Sequence, residues 1–511
     1  MSTLLKKKLR LCTVVFSGFA VLVASSILNA NTLTVETIAL TGDPAPGTPA
    51  GTTLGFFQTL RGTSQNEVVV DSSLMGPGVT FENDAAIFIR EEGGDLSLVV
   101  REGDPVPGAG DGVFFRDLGD PTVNAQREIV FSADLTGNNV TVDNSLAIFS
   151  TVGGDLSLVA REGDAVPVIA DGVIHANFAR PNINNQGDIV FEDQALRGPG
   201  VNFGNDDVIF INTGGDLSIL AREGDLAPGA EGLSFREVRI ADLNNQGGIV
   251  FTANVAGPGV GPSDNTGIFS NIEGTLSLVV QEGDAVPGEE DNVFFGDFAF
   301  ANPEITDQGD VAFTNTTVTT APMDMDMDMD MGGDMGMGMG PDPGNNIVSE
   351  TEAVFTNAGG TLSTVAREGD VAPGVGDGVF FESFFDPLTN QGDQVAFLAD
   401  LTGTGVTDAN DRAIFLESDG LLSLLLREGE IIDFIDGDLA TSIALTLDRA
   451  SFNFNEAGQL DILANLSIGE SRQGLFLVTV TPVPLPAALP LMASGLLGLV
   501  AIARRRKNAQ A

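Results

Sequence analysis

The residues best suited to chemistry in this sequence are carboxylates and arginines, and they recur in a fixed order. They would serve either a carboxylate pair in catalysis or a ring of repeated ligand contacts. A catalytic site is normally built once, so repetition indicates a structural unit instead. The tetrapeptide Arg-Glu-Gly-Asp and its variants QEGD and REGE stand at 101–104, 161–164, 222–225, 281–284, 367–370 and 427–430.

The repeat has a period near 60 residues. Successive copies of the last tetrapeptide residue are 60, 61, 59, 86 and 60 residues apart, and a degenerate copy ends at Asp43. Seven units follow from this spacing, and an insertion within 321–345 explains the long interval. We predict that the tetrapeptide closes the outer strand of each unit. The residues given this structural role are Arg101, Asp104, Arg161, Asp164, Arg222, Asp225, Asp284, Arg367, Asp370 and Arg427.

Each unit contains four short apolar runs. In the second unit they are VFFRDL, EIVFSADL, LAIFST and LSLVAR, rich in Val, Ile and Phe and bounded by Gly, Asn, Asp and Pro. This composition predicts strands, and no window from 31 to 481 has a helical period. The text NNQG at 184–187 and the Gly-Gly at 153–154 predict tight hairpins, so the four strands belong to one sheet.

Seven four-stranded units predict an all-β fold, a seven-bladed β-propeller over residues 31–481. The run LTVETIAL at 33–40 resembles an outer strand, and GLFLVTV at 474–480 resembles the strand that pairs with it elsewhere. Pairing these two runs would close the ring and remove a sheet edge. The alternatives are a parallel β-solenoid, which the hairpins disfavour, and a row of small sandwiches, for which 60 residues is short.

The first 30 residues have the layout of a secretory signal helix. Lys6, Lys7, Lys8 and Arg10 precede an apolar run, and Ala30 ends a plausible cleavage site. The single cysteine, Cys12, would leave with this segment. The exported chain would then have neither disulfides nor thiol chemistry.

The last 30 residues, 482–511, combine a proline motif, an apolar run at 485–503 that is long enough to span a bilayer as a helix, and a basic cluster that would stay cytoplasmic. This layout resembles the PEP-CTERM sorting signals in their VPLPA variant. The resemblance implies processing by an exosortase-type enzyme and release to the cell surface or beyond; a plain tail anchor is the alternative. The matching residues are Val483, Pro484, Leu485, Pro486, Ala487, Arg504, Arg505, Arg506 and Lys507.

The repeats also resemble tandem-repeat proteins with the pattern N-x-x-G-x-x-A-F. Asn184, Gly187 and Phe191 carry this pattern, and Thr306 replaces the asparagine in a later unit. The resemblance implies a repeat architecture and export, and it carries no biochemical activity.

The charge of the chain excludes several partners. The sequence has 24 Lys and Arg against 71 Asp and Glu, a formal net charge of −47. Nucleic acid and anionic lipid would repel such a chain, whereas cations would be attracted. Membrane contact is expected only through the C-terminal helix before processing.

The sequence offers few residues of the types that usually act in catalysis. His175 is the only histidine, and it stands where other units have phenylalanine, which favours a packing role. No nucleophile motif or phosphate loop accompanies it. Zinc sites of Cys and His are excluded once Cys12 is removed.

The loop before the third strand of most units is acidic. Oxygen ligands at close spacing suit Ca²⁺, the one cofactor we consider, whereas Asx turns would explain the same residues without a metal. The candidate ligands are Asp84, Asp143, Asp206, Asp207, Asp264, Asp408 and Asp411.

A Met-Asp tract fills much of the insertion. Its thioethers, from Met323 to Met339, suit Cu(I). A slipped repeat in a polar loop that needs no packing is the alternative.

These features together predict an exported, surface-sorted, non-enzymatic protein that acts as an adhesive or scaffold of the cell surface or extracellular matrix. Its partners would be exopolysaccharide or surface proteins. The alternative is a glycan-active hydrolase or lyase with a carboxylate pair in the propeller channel. A sensor or periplasmic binding protein is a third hypothesis.

Overall fold

The computed structural model describes fourteen stretches of the chain. They are residues 32–62, 67–90, 94–229, 232–272, 274–299, 301–320, 347–390, 392–418, 420–429, 431–436, 439–444, 452–454, 460–468 and 472–481. The predicted signal segment 1–30, the Met-Asp insertion 321–345 and the sorting segment 482–511, with its VPLPA motif and basic cluster, lie outside these residues.

The described residues form strands and turns and contain no helix. The first eleven strands are β1 Thr32–Leu40, β2 Thr53–Gly62, β3 Val68–Met75, β4 Ala85–Arg90, β5 Leu96–Arg101, β6 Val113–Leu118, β7 Thr122–Val123, β8 Ile129–Gly137, β9 Leu146–Ser150, β10 Ser157–Arg161 and β11 Phe178–Ile183. The next eleven are β12 Ile189–Asp193, β13 Val208–Thr213, β14 Asp216–Arg222, β15 Ser234–Leu243, β16 Ile249–Ala256, β17 Thr266–Ile272, β18 Thr275–Gln281, β19 Val293–Phe295, β20 Glu304–Ile305, β21 Val311–Thr320 and β22 Ile347–Thr356. The last eleven are β23 Ser363–Arg367, β24 Val379–Phe384, β25 Leu388–Thr389, β26 Val395–Gly403, β27 Arg412–Ser418, β28 Leu421–Arg427, β29 Ile431–Asp436, β30 Leu439–Ala444, β31 Phe452–Phe454, β32 Leu460–Ile468 and β33 Arg472–Thr481.

These strands build seven antiparallel sheets and one hairpin, β29–β30. Sheet 1 is β2–β5, sheet 2 is β6–β10, sheet 3 is β11–β14 and sheet 4 is β15–β18. Sheet 5 is β19–β23, sheet 6 is β24–β28, and sheet 7 has the order β1-β33-β32-β31. Repeated antiparallel units of four strands are therefore confirmed, with hairpins as predicted.

The strands of one sheet differ in burial according to their place in it. The second strand is buried on both faces, as in Ile189–Asp193, because a neighbouring sheet packs on each side. The first strand alternates between buried and exposed residues, as in Val113–Leu118. The fourth strand is half-buried, as in Leu96–Arg101. This difference in burial between the strands is explained if the sheets pack face to face, so that both faces of the second strand are covered.

Phenylalanines fill the space within and between the sheets. In sheet 2, Phe115, Phe131 and Phe149 are buried, and their ring centroids lie 5.0 to 6.3 Å apart. The same cluster includes Val69 and Ile87 of sheet 1. Equivalent clusters join sheets 2 and 3, 3 and 4, 4 and 5, and 5 and 6. Each sheet therefore completes its core only against the next sheet.

The innermost strands contact one another in a cycle. The strand β7 contacts β2 and β11, and the series continues through β15, β20, β25 and β31 back to β2. Buried asparagines reinforce the cycle: the Asn124 side chain donates to the Asn184 carbonyl at 2.9 Å, and Asn184 donates to Asn244 at 3.2 Å. The arrangement is propeller-like.

The two ends of the described chain pair with each other. The strand β1 lies antiparallel to β33, from Thr32 opposite Thr481 to Leu40 opposite Gly474. Leu475 joins Ala39 in a core with sheet 1. The predicted pairing of the outer-strand copy with the C-terminal strand is therefore present.

The first strand is less regular than the sequence predicts. In sheets 2, 5 and 6 it is split into two pieces that pair with the same second strand, with register shifts between Phe115 and Asp117 and between Phe381 and Ser383. The preceding sheet accepts hydrogen bonds from amides in this region: Glu352 accepts from the Phe384 amide at 3.0 Å. These hydrogen bonds between sheets compete with the backbone hydrogen bonds that join the first strand to the second, and they bend the first strand.

Candidate functional site

The arginines of the repeated tetrapeptide hold the loop that precedes the third strand. Nε of Arg161 donates to the Asn144 carbonyl at 2.9 Å, and Arg222 and Arg427 do the same to Asn205 and Asn410. Arg101 instead pairs with Asp104 at 3.2 Å, and Arg367 pairs with Glu289 at 2.8 Å. These guanidinium groups therefore bind protein groups within the repeat.

The other three positions of the tetrapeptide form a turn. The glutamate accepts the amide of the third strand, as Glu162 does from Leu146 at 3.0 Å. The glycine has positive φ, 84° at Gly163, which other residues adopt only with strain. The aspartate amide donates to the carbonyl of the first tetrapeptide residue at 3.1 Å, at Asp104, Asp164, Asp225, Asp284 and Asp370.

The acidic loops proposed for Ca²⁺ are closed mainly by their own side chains. Oδ1 of Asn83 accepts the Thr80 amide at 2.8 Å, and Asn144, Asn205 and Asn410 make the same contact in other sheets. Asp264 makes it with the Gly261 amide in sheet 4. In each of these bonds the side chain accepts an amide three residues earlier in the chain, so the contacts close the loop without having the Asx-turn geometry of the alternative explanation.

The remaining candidate ligands are spread over different contacts. Asp143 pairs with Arg197 at 2.6 Å, and Asp207 accepts the Val238 amide of the next sheet at 3.3 Å. Asp84 and Asp206 lie against the tetrapeptide glutamates Glu102 and Glu223, Asp408 is exposed, and Asp411 is half-buried. Within the described stretches no three His, Cys, Asp or Glu side chains converge as metal ligands. Calcium binding stays a prediction.

His175 is buried in the core of sheet 3. Its Nδ1 lies 2.8 Å from Oδ2 of Asp193, and both side chains are nearly inaccessible, at 3% and 0% exposed. The ring contacts Phe210 edge-on at 5.4 Å, as Phe235 contacts Phe269 at 5.1 Å in sheet 4. The packing role predicted for His175 agrees with this geometry.

Two carboxylates face the inner side of the cycle of first strands. Asp242 lies on β15 and Glu304 on β20, and their side chains share a hydrogen bond. Asn182 of β11 lies 3.5 Å from Asp242, and the Ile305 amide donates to Asp242 at 3.1 Å. Arg61, on β2 of a non-adjacent sheet, also acts on Glu304. Groups from four sheets can meet only near the centre of the cycle.

The environment of these two carboxylates favours a bound proton. Both retain partial solvent exposure although protein surrounds them, which suits groups that line a narrow channel. Burial, and then the Asp242 charge, raise the pKa of Glu304 well above its usual value, whereas Arg61 opposes the shift. Burial also raises the pKa of Asp242. Two adjacent carboxylates that share one proton can donate or accept it.

Another buried carboxylate, Asp71, lies between sheets 1 and 2. Burial, together with the charges of Asp120 and Asp117, raises its pKa to about 7. Its Oδ1 has no hydrogen-bond partner. In sheet 3, the equivalent Glu192 is also fully buried, and there burial raises the pKa.

Exposed apolar side chains concentrate at one end of the sheets. We call this end, where first and third strands begin and second and fourth strands end, the loop face. Of the thirteen large apolar side chains exposed in the described residues, Leu421 lies at the opposite end. The other twelve are Phe56, Met75, Phe81, Phe114, Val142, Val168, Phe203, Leu226, Ile347, Val348, Val371 and Phe380.

A cleft of about 210 Å³ between sheets 4 and 5 is lined by Glu237, Arg239, Asn254 and Phe298, among others.

Over the described residues, the chain has no apolar helix long enough to cross a bilayer.

Sequence reasoning missed both the pair Asp242 and Glu304 and the loop face. Asp242 and Glu304 occupy the same repeat position, two residues before NNQG and its variant TDQG, where the preceding unit has Asn182. The signal available in the sequence was an acid at this position in two consecutive units. Phe81 and Phe203 carried a weaker signal, since both follow the text GPGV within a polar loop.

A family model matches the chain three times, over residues 13–175, 172–332 and 338–490. Each match covers more than two of the 60-residue units, and together the matches cover most of the chain. The chain belongs to DUF7453, a family of unknown function. Membership of DUF7453 fits the tandem repeat and assigns no activity.

No curated protein matches this DUF7453 chain. Among solved structures, the polysaccharide lyase Uly1 aligns at a TM-score of 0.37 and 10% identity, over 86% of this chain and 90% of that one. The β-propeller domain of the Trilobed protease from Pyrococcus furiosus aligns at a TM-score of 0.38 and 10% identity, over 82% and 97%. An α-L-arabinanase from Penicillium chrysogenum reaches 0.28 at 10% identity, over 88% and 98%. At such TM-scores the likenesses carry no argument about activity.

Proposed function

We propose that this chain is a closed seven-bladed β-propeller that works as a non-enzymatic binding or scaffold protein outside the cell. The observation that carries the proposal is the concentration of exposed apolar side chains on the loop face, where Phe81 and Phe203 are almost fully exposed. A face on which most of the exposed large apolar side chains gather is a candidate interaction site. The repeated Arg-Glu-Gly-Asp tetrapeptide also supports a non-enzymatic function, because its side chains hold strands and turns in place.

Export and surface sorting form the second part of the proposal. They rest on the sequence: the basic and apolar start at 1–30, the VPLPA motif at 483–487 and the basic cluster at 504–507. Mass spectrometry of the protein recovered from the source organism tests this part. We expect a mature N-terminus near residue 31 and a C-terminus near the VPLPA motif. An intact C-terminal segment on the mature protein would instead indicate a tail anchor.

The binding function is tested with the purified full chain and extracellular matrix from the source organism. Co-sedimentation and released reducing ends are followed in the same samples, with a heat-unfolded sample as the control. Co-sedimentation without release of product supports the scaffold function. Absence of co-sedimentation refutes it, and release of product supports the enzyme hypothesis.

A second candidate function, a glycan lyase, is favoured by one observation, the proton-sharing pair Asp242 and Glu304 beside Arg61. Two-carboxylate glycosidases hold their carboxyl groups about 5 to 10 Å apart, which a hydrogen-bonded pair does not match. A lyase needs instead a base that removes a proton and a cation that stabilises the resulting charge. Unsaturated sugar ends that disappear in Glu304→Gln would establish this activity.

A further inference from the structure

Three exposed apolar side chains occupy the same position in three consecutive sheets. Phe81, Val142 and Phe203 lie in the loop between the second and third strands of sheets 1, 2 and 3, and we call them the apolar row. They are 96%, 87% and 98% exposed, respectively. Their side chains therefore contribute almost nothing to the core of the folded chain.

The loops that carry the apolar row are held firmly. Asn83, Asn144 and Asn205 each accept a backbone amide three residues earlier, at 2.6 to 2.8 Å. The loops of sheets 2 and 3 are also joined, because Arg197 pairs with Asp143 at 2.6 Å. The row is thus an ordered set of apolar tips, and ordering before binding lowers the entropy cost of association.

Charge restricts what the row can bind. Glu82 and Asp143 flank two of the tips and are exposed, and the chain has a formal net charge of −47. Anionic lipid, nucleic acid, acidic polysaccharide and the same face of a second copy would all be repelled. A neutral or cationic partner is compatible with this surface.

The way the apolar tips are spaced favours a polysaccharide over a protein as the partner. Each tip is a single side chain between polar neighbours, such as Thr80 and Glu82, so the row lacks the contiguous apolar core of a protein interface. A polysaccharide presents one ring after another. The C–H face of a sugar ring can stack on an aromatic face, which carries partial negative charge. Its hydroxyl groups can donate to the flanking carboxylates.

We propose that the apolar row is a binding site for a neutral polysaccharide, stacked on Phe81 and Phe203 with Val142 between them. This assignment deepens the scaffold function proposed above and rests on it. The glycan contacts lie on the loop face, whereas Asp242 lies near the opposite end of its strand.

A single-tryptophan variant gives a direct test, because the chain has no Trp and no Tyr. Phe81→Trp places the indole in the row, and Leu421→Trp places a matched exposed indole at the opposite end of the sheets. Titration with a neutral β-glucan should change the emission of Phe81→Trp and leave Leu421→Trp unchanged. Equal changes in both variants, or none in Phe81→Trp, would overturn the site.

Affinity electrophoresis tests the ligand class. The full chain should be retarded in gels that contain neutral β-glucan or galactomannan, and not in gels that contain anionic alginate. The variant Phe81→Ser/Val142→Ser/Phe203→Ser should lose at least about tenfold in affinity, since each lost stacking contact contributes. Leu421→Ser is the control and should bind like the parent chain.

The possible outcomes distinguish a failure of the polysaccharide site from a failure of the proposed scaffold function. Retardation by alginate alone, or equal retardation of the triple variant, overturns the neutral-glycan site. If no polysaccharide binds but matrix still captures the chain through the row, the ligand class is wrong and the scaffold function stands. If matrix fails to capture the chain, the scaffold function itself has failed.

Discussion

The His175–Asp193 pair offers a sharp test of how this core is built. Sheets 2, 4 and 6 have Phe and Ala at the two corresponding positions, such as Phe235 and Ala253 in sheet 4. Sheet 3 has His and Asp, and the two side chains bond to each other at 2.8 Å in a buried site. We expect the two positions to be strongly coupled.

The magnitude follows from the partners that each change leaves behind. His175→Phe removes one partner of the carboxyl, which keeps the amides of Ala176, Asn177 and Ala195 at 3.2 to 3.3 Å. We expect a loss of about 1–3 kcal/mol. Asp193→Ala leaves the imidazole and those three amides without their acceptor, and we expect a loss of about 3–5 kcal/mol.

The double variant His175→Phe/Asp193→Ala should be more stable than Asp193→Ala alone, because it restores the Phe and Ala of the other sheets. A coupling free energy of about 1–3 kcal/mol is expected from the four-state cycle. Urea unfolding followed by far-UV circular dichroism measures it. If the losses in free energy of unfolding of the two single variants simply add in the double variant, the two side chains do not form one unit.

Sheet 4 supplies the matched control. Phe235→His places an imidazole beside Ala253, which offers no acceptor, and should destabilise the fold by about 1–3 kcal/mol. Adding Ala253→Asp should recover part of that loss. If Phe235→His/Ala253→Asp is no better than Phe235→His, the pairing depends on features peculiar to sheet 3.

Three further predictions concern the fold. Because the pKa of Asp71 is raised from 3.8 to about 7 on folding, the stability that its protonated form contributes is complete below pH 3.8 and is lost progressively as pH rises to about 7. In urea unfolding, Asp71→Asn should therefore match the parent near pH 4 and exceed it in stability above pH 7. Gly137→Ala should cost at least about 2 kcal/mol more than Gly42→Ala in calorimetry, since both have positive φ but only Gly137 has a backbone oxygen 2.1 Å from the new Cβ. Asn184→Ala should lower the free energy of unfolding by about 1–3 kcal/mol, because it breaks the bond to Asn244 and leaves buried groups unpaired.

The repeat made much of the architecture predictable from the sequence. The period near 60 gave the units, and the Val, Ile and Phe runs gave their strands. Even the pairing of 33–40 with the C-terminal run followed from matching each run to its counterpart in complete units. These predictions succeeded because the same local signal appears several times, so that one copy corrects another.

The contacts between sheets were less accessible to sequence reasoning. The sequence predicts Asn184 as a turn residue, yet its buried side chain also reaches the next sheet. The break in the first strand depends on acceptors such as Glu352, which lie in another sheet. Asp242 and Glu304 are adjacent only because the sheets form a cycle. Such neighbours are set by packing, and a pattern within one unit does not contain them.

The pairing of β1 with β33 has a consequence for how the chain folds. Thr32 and Thr481 are 449 residues apart, whereas the strands of a unit without the insertion lie within about 60 residues of one another. Closing the larger loop costs roughly 1.8 kcal/mol more in chain entropy by the logarithmic rule. Local hairpins should therefore form early and this seam last, once residue 481 is free to pair. Until then the folding chain would carry an open strand edge, so the seam is the step at which folding and aggregation compete.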